Sequence, residues 1–362
     1  MKVLVIGYHN PHYQTITEYI ERAVASLGNE LHVFDVGRRI IPGRLRQRVP
    51  WLDNLDRKWL NIRVTACAEK VRPDLFIVSG GDRIEASTVR HIRQAGIVTA
   101  LWTTDAPAQF DPILRIAPLF ERIFCQGTEA IEIFDRAGIR GACWLPMACD
   151  PAIHFPETLT ERERVEYGHD VAFVGSYYPV REALFEGLAG LDFAIWGPGW
   201  ERLRKDSLLR ACVKGTHTKP AAWRKIYSAS RIVLATHYRD PQRRFPVHQA
   251  SPRVFEAMAC GAFVITDRQR DVLELFRDGE HLVTAEGKAS LREKVEYALS
   301  RPAERERIAA AGKQEALARH TYEQRLKILF DALRGIRTDP LPAREDHHGG
   351  PPELWKRGAG AA

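Results

Sequence analysis

Ser251, Arg253 and Glu256 are the residues whose types and spacing point most directly to chemistry. Ser251 is a good N-cap and Pro252 suits a first helical position, so a helix is predicted to start there. Val254, Phe255 and Met258 give that helix an apolar face, and Gly261 can close it in the left-handed conformation. Ala262–Thr266 then reads as a buried strand ending at Asp267. A helix start carries free N–H groups and positive potential, where a cation costs about 0.3–1 kcal/mol unless an anion offsets it. Arg253 in the first turn therefore predicts an anion site, the alternative being a salt bridge.

The elements that must position these residues come from a chain of 362 residues, long enough for two domains. A hydrophobic content of 45% and a charged content of 27% are those of an ordinary globular protein. The formal charge of +7 suits phosphate-bearing ligands or an anionic membrane surface. No zinc-finger or RNP pattern and no basic stripe with interleaved aromatics appears, so nucleic acid is not expected as a partner. The six cysteines are scattered, with no C-x-x-C among them, which predicts free thiols and a reducing, cytoplasmic setting. The start, MKVLVIGYHNP, reads as a first strand and not as a signal peptide, and no stretch is apolar enough to span a bilayer.

Strand and helix patterns alternate along the chain. Lys2–Ile6, Leu31–Val36, Leu75–Ser79, Val98–Trp102, Arg122–Gln126 and Gly141–Leu145 read as strands of a first open, mostly parallel sheet. The turn after the first strand has one glycine, so a dinucleotide G-x-G-x-x-G fingerprint is absent. A basic, tryptophan-containing segment, Arg38–Arg63, reads as a loop passing into a helix that ends at Val71. From Pro151 to His169 the pattern becomes polar and charged, which predicts a linker over 156–169. Alternation then resumes with strands at Val171–Val174, Phe193–Trp196, Ile232–Ala235, Phe263–Thr266 and His281–Val283. The expected organisation is an α/β protein of two Rossmann-like domains, 1–155 and 170–335, facing across a cleft. The composition of 336–362 predicts a disordered tail.

Six segments together resemble the CgeB-like family of GT-B glycosyltransferases, named after a spore-maturation protein. They are LWTTDAP (101–107), GIRGACWLPMACDP (138–151), DVAFVGSYYPVRE (170–182), IWGPGW (195–200), SPRVFEAMACGAFVITD (251–267) and HTYEQR (320–325). Only the basic insert after the first βαβ unit and the tail fall outside the resemblance. It implies that the second domain holds a nucleotide diphosphate-sugar donor and the first an acceptor, with no metal and no further cofactor. That agrees with the absence of a D-x-D motif.

By the same resemblance, Glu256 matches the acid that binds the donor ribose in the E-x7-E glycosyltransferases. The other glutamate of that pattern is replaced here by His248. Arg181 stands where relatives carry a phosphate-binding base, and Lys219, in the HTKP turn, lies in the segment that follows the nucleobase. Gly175 and Ser176 would let backbone N–H groups approach the phosphates, with Ser251, Arg253 and Val254 beside them. Asp105 is the first choice for the base that takes the acceptor's proton; an Asx-turn before Pro107 is the alternative. His9 and His12 lie in the first strand's loop, where a histidine beside the acceptor is a better reading than a zinc ligand. The function expected is sugar transfer to an acceptor hydroxyl, on a glycan, a lipid-linked glycan or a protein. A nucleotide-sugar 2-epimerase of the same fold and a non-catalytic nucleotide-sugar binder are the alternatives. The basic balance also admits peripheral contact with a membrane.

Overall fold

The structure is a computed structural model that describes residues 1–10, 13–38, 41, 48–104, 110–216, 222–238 and 245–335. The chain forms two compact units. In the first, strands β1 (Lys2–Gly7), β2 (Glu30–Asp35), β3 (Leu75–Ser79), β4 (Val98–Thr103), β5 (Arg122–Cys125) and β6 (Ala142–Trp144) form one sheet in the order β2-β1-β3-β4-β5-β6. Every pairing is parallel. Helices α1 (Ile16–Ser26), α2 (Pro50–Val71), α3 (Ala86–Gln94), α4 (Phe110–Ile116) and α5 (Thr128–Arg136) make the crossovers. Val3–Ile6 and Phe76–Val78 are buried as continuous apolar runs, as strands covered on both faces must be.

The second unit repeats this plan. Helix α6 (Glu161–Tyr167) precedes strand β7 (Val171–Val174), which α7 (Pro179–Phe185) follows. Then come β8 (Phe193–Trp196), β9 (Val213–Gly215), α8 (Ala222–Ala229), β10 (Ile232–Leu234), α9 (Pro252–Ala259), β11 (Val264–Asp267), α10 (Arg270–Leu275) and β12 (Val283–Ala285). Helices α11 (Gly287–Ser300) and α12 (Pro302–Arg319) complete it. The strand order is β12-β11-β10-β7-β8-β9, all parallel. Around β7, Phe173, Phe185 and Trp200 stack into an aromatic core.

The units do not divide the chain where composition suggested. The second begins at Met147 and takes in 156–169, the stretch expected to be a linker. There α6 opens with a capping box, Thr160 and Glu163 each bonding the other's backbone, and Glu163 pairs with Lys225 of α8. T-x-x-E is a helix-start signature that the high charge of the stretch obscured. The final helix, α13 (Tyr322–Leu333), returns to the first unit instead of closing the second. Tyr322 packs on Tyr19 and Trp102 with ring centroids 5.5 and 6.2 Å away, and buried Arg325 donates through Nε to Pro146 O at 2.9 Å. The six cysteines are free thiols, and no described helix is long and apolar enough to cross a membrane. The tail 336–362 lies outside the described residues.

Candidate functional site

In the second sheet the chain runs from β7 outward through β8 and β9, then returns to the other side of β7 as β10. That reversal makes the carboxyl ends of β7 and β10 a topological switch point, where open α/β sheets bind ligands. Gly175 and Ser176 follow β7, while Thr236 and His237 follow β10. Two arginines from two helices converge there.

Arg181, on α7, is almost fully buried. Its Nε and one terminal nitrogen donate to Thr236 Oγ1 at 3.2 Å and Thr236 O at 2.8 Å, and the other terminal nitrogen donates to Ser176 O at 2.7 Å. Arg253, on α9, also donates to Thr236 O, at 3.2 Å. Both guanidiniums lie over the Phe173 ring, 5.0 and 5.2 Å from its centroid. Among the described residues no carboxylate comes within ion-pair distance of either. Burial, and then the neighbouring Arg253 charge, push the Arg181 pKa down to about 9. Two cations thus share one carbonyl and one aromatic face with no carboxylate in ion-pair contact among the described residues. Asp267 and Glu256 act on them only from farther away, so an anion bound here would be favoured.

Gly175 is required by this arrangement. A Cβ on it would stand 2.8 Å from a terminal nitrogen of Arg253 and 2.9 Å from Phe173 Cζ. Its N–H already donates to Trp196 O at 2.8 Å, so the glycine admits a guanidinium here and offers no N–H to a phosphate. Ser176 contributes the carbonyl that holds Arg181. Ser251 occupies the N-cap position of α9, but its side chain accepts no bond from the helix's N–H groups; its Oγ lies 3.5 Å from Arg253 instead. Ser251 N–H donates to His237 Nε2 at 2.8 Å, which leaves the ring proton on Nδ1, 2.7 Å from Asp267 Oδ1. Burial alone would raise the Asp267 carboxyl, but His237 and the hydrogen bonds from His237 and Gln269 outweigh it and hold it well below the carboxylate range. The β10 loop, the β11 end and the α9 start are locked together by this pair. A cavity of about 300 Å³ opens beside it, lined by Arg181, Thr236, His237, Asp267 and Lys288 among others.

Glu256 lies one turn beyond Arg253 with its side chain only 20% exposed. Burial raises its pKa to about 7, against the pull of Arg253. Buried Tyr227 of α8 faces both charges, and burial pushes its hydroxyl pKa up. His154 is fully buried, with its ring 5.2 Å from Trp223. It accepts Asp150 N–H on Nδ1 at 2.7 Å, so Nε2 carries the proton, 3.9 Å from Glu256 Oε1. Burial and Arg224 lower the His154 pKa to about 3.

Of the other expected donor-site residues, Val254 is fully buried and its N–H bonds Ser251 O, so it serves the helix and presents nothing to a ligand. His248 is half-buried, and its carbonyl accepts Asp271 N–H at the start of α10. Lys219, Asp105 and His12 lie outside the described residues. Thr236, His237, Tyr227 and His154 went unnoticed in the sequence. Thr236 and His237 carry a usable signal, since they directly follow a buried strand. His154 was hidden in the stretch beginning at Pro151 that read as a polar connection.

The first unit has its own switch point, between β1 and β3. A cavity of about 260 Å³ there is lined by Tyr8, Thr17, Ser79, Asp82, Arg83 and Thr104 among others. His9 lies with Nε2 2.9 Å from Glu21 and Nδ1 3.4 Å from Asp35. Burial would lower its pKa, but those carboxylates outweigh it and raise it.

Two parallel six-stranded sheets with helical crossovers define a GT-B fold. Sucrose-phosphate synthase from Thermosynechococcus elongatus superposes with a TM-score of 0.63 at 12% identity, over 92% of this chain and 99% of that one. Anabaena HepE in complex with UDP and glucose gives 0.62 at 14% identity, over 93% and 100%. Residues 180–331, which contain both arginines and Glu256, match the family described as glycosyl transferase-like. Within this class the chain is a homologue of the spore protein CgeB of Bacillus subtilis. It is 23% identical to it over 279 residues, spanning 73% of this chain and 85% of that protein.

Proposed function

We propose that the protein transfers a sugar from a nucleotide diphosphate-sugar to an acceptor hydroxyl, with the nucleotide held by the second unit. The observation that carries this reading is the pair Arg181 and Arg253, both donating to Thr236 O with no ion-paired carboxylate among the described residues. A diphosphate supplies the missing negative charge. Charge on the leaving diphosphate grows as the glycosidic bond breaks, so fixed guanidiniums stabilise the transition state more than the ground state. The reading therefore needs no divalent ion and no further cofactor. Glu256, one turn along the same helix, accepts the ribose hydroxyls. Asp105 is the proposed base for the acceptor proton, and His12 is proposed as the second catalytic residue, toward the acceptor. HepE, of the same fold, has been crystallised with UDP-glucose, which supports a nucleotide sugar as donor. The acceptor is a hydroxyl of a glycan, a lipid-linked glycan or a protein.

The test is turnover. Purified protein is incubated with common nucleotide sugars, with and without acceptor extracts, and nucleotide release and sugar products are measured. Acceptor-dependent release is expected, with loss in Arg253→Met. No release and no transfer from any donor would overturn the proposal. Conversion of the nucleotide sugar without acceptor would assign epimerisation instead.

A further inference from the structure

The crossover helix α2 is apolar on two opposite faces. Leu60, Val64 and Ala68 are buried in the core of the first unit, as a crossover helix requires. The other face presents Trp51, Leu55, Trp59 and Ile62, which are 64%, 38%, 48% and 59% exposed. At about 100° per residue these four positions fall within about 80° of arc, one stripe over three turns. A crossover helix has no need of two tryptophans on its solvent side.

The surroundings of the stripe are basic. Arg48 and Lys58 are exposed on or beside it, and Arg63 lies on its flank. The two acids of this stretch are already engaged: Asp53 lies 3.5 Å from Arg57, and buried Asp56 binds Arg83 at 2.7 Å. In sequence, Arg38–Arg63 contains eight basic and two acidic residues, a net +6 against +7 for the whole chain. Of these, Arg48, Lys58 and Arg63 stand beside the apolar stripe among the described residues.

We propose that this face of α2 docks on an anionic membrane surface. The helix lies in the plane of the interface, its tryptophans and aliphatic residues at the acyl boundary and its arginines and lysine among the headgroups. Charge selects this occupant over a second copy of the chain, because a symmetric pairing would set Arg48, Lys58 and Arg63 against their own counterparts. The described helices include none able to cross a bilayer, so the contact is with the surface. The inference stands independently of the transfer reaction.

The experiment is co-sedimentation of the full chain with phosphatidylcholine vesicles, with and without phosphatidylglycerol. Binding to the anionic vesicles is expected, falling as salt rises. The double variant Trp51→Ser/Trp59→Ser should partition about a hundred-fold less, from the apolar area withdrawn. It should fold as the parent does and melt only a few degrees below it, since Trp51 and Trp59 are 64% and 48% exposed. Arg48→Glu/Lys58→Glu should lose the preference for anionic lipid. Leu208→Ser, which removes an exposed apolar residue of the second unit, should bind like the parent. Absence of vesicle binding, or equal binding by the tryptophan variant, would overturn the proposal. So would a dimer seen by sedimentation velocity that the tryptophan variant dissolves, because the stripe would then belong to a second copy.

Discussion

Replacing Arg253 with methionine separates a guanidinium kept for a ligand from one kept for the fold. Its bond and that of Arg181 to Thr236 O measure 3.2 and 2.8 Å, so the two donor nitrogens are no more than 6.0 Å apart, the sum of those lengths. Two unit charges at that separation repel by about 3 kcal/mol at an effective dielectric near 20. Arg253 is partly exposed, and solvent screening reduces this to about 2 kcal/mol. Methionine keeps the contact with Phe173, and Arg181 keeps Thr236 O satisfied. The substitution therefore loses the bond to Thr236 O and the long 3.5 Å one to Ser251 Oγ, together about 1 kcal/mol. The unliganded variant should therefore be more stable by about 1 kcal/mol, a rise in Tm of about 2–4 °C by differential scanning fluorimetry. With a nucleoside diphosphate present the order reverses. Losing a charge-assisted bond to phosphate, about 1.5–3 kcal/mol, weakens Kd by roughly 10- to 150-fold and removes most of the ligand-induced shift. Arg181→Met should behave oppositely when unliganded, because it strips a buried residue of three hydrogen bonds and lowers Tm. An Arg253→Met variant that melts below the parent, or that keeps the full nucleotide shift, would refute the reasoning.

Three further outcomes follow from the same geometry. Glu256 holds its proton to about pH 7 in the folded state against a reference value of 4.5, so stability should fall as pH rises through that window, by up to about 3 kcal/mol. Glu256→Gln should remove that slope, leaving the variant the more stable at pH 8 and the two alike at pH 4, as read from urea midpoints. Gly175→Ala should displace Arg253 and weaken nucleoside diphosphate binding by about ten-fold by calorimetry, with less effect on the nucleoside, since the added Cβ meets the guanidinium and not the ribose side. Arg325→Ala should destabilise the first unit by about 3 kcal/mol, because it empties a buried site and removes the donor to Pro146 O. Unchanged denaturation of that unit would show that α13 contributes nothing to it.

The parallel sheets were legible because strands buried on both faces must be continuous apolar runs, and Leu75–Ser79 and Val171–Val174 begin and end where the pattern said. The end of α9 was legible for a local reason as well, Gly261 standing at φ +80°. What failed was everything set by partners distant in sequence. Tyr322–Leu333 was correctly read as a helix, yet nothing in its own pattern says that Tyr322 will pack on Tyr19 and Trp102. Ser251 has the right type and place for a cap, but its backbone N–H is taken by His237 and its hydroxyl faces Arg253. β9 is three residues at a sheet edge, too short for any period to show. Arg253 at a helix start and Arg181 were both singled out in the sequence, but not that they would meet. Their convergence on Thr236 O comes from the chain reversal between β7 and β10.

That reversal explains why the site can hold like charges together at all. Thr236 O accepts from both guanidiniums, and the loop carrying it is fixed from below by the His237–Asp267 pair and by Ser251 N–H. The same interactions fix the start of α9, so Arg253 cannot move away from Arg181 without breaking the β10–β11 connection. Phe173 closes the other side, giving both cations an aromatic face where neither has an ion-paired carboxylate among the described residues. Repulsion is thus stored in a rigid frame and would be released by a dianion of the kind proposed as donor. A frame that relaxed in the empty state would have lowered that energy beforehand, and with it the gain on binding. Rigidity of the His237–Asp267 lock is therefore as necessary to the site as the arginines. His237→Ala should weaken nucleoside diphosphate binding though the ring touches neither guanidinium. It should also abolish the stability gain of Arg253→Met, because a loosened loop lets the charges part. A double-mutant cycle on Tm measures this coupling: about 1 kcal/mol of non-additivity is expected, and strict additivity would refute it.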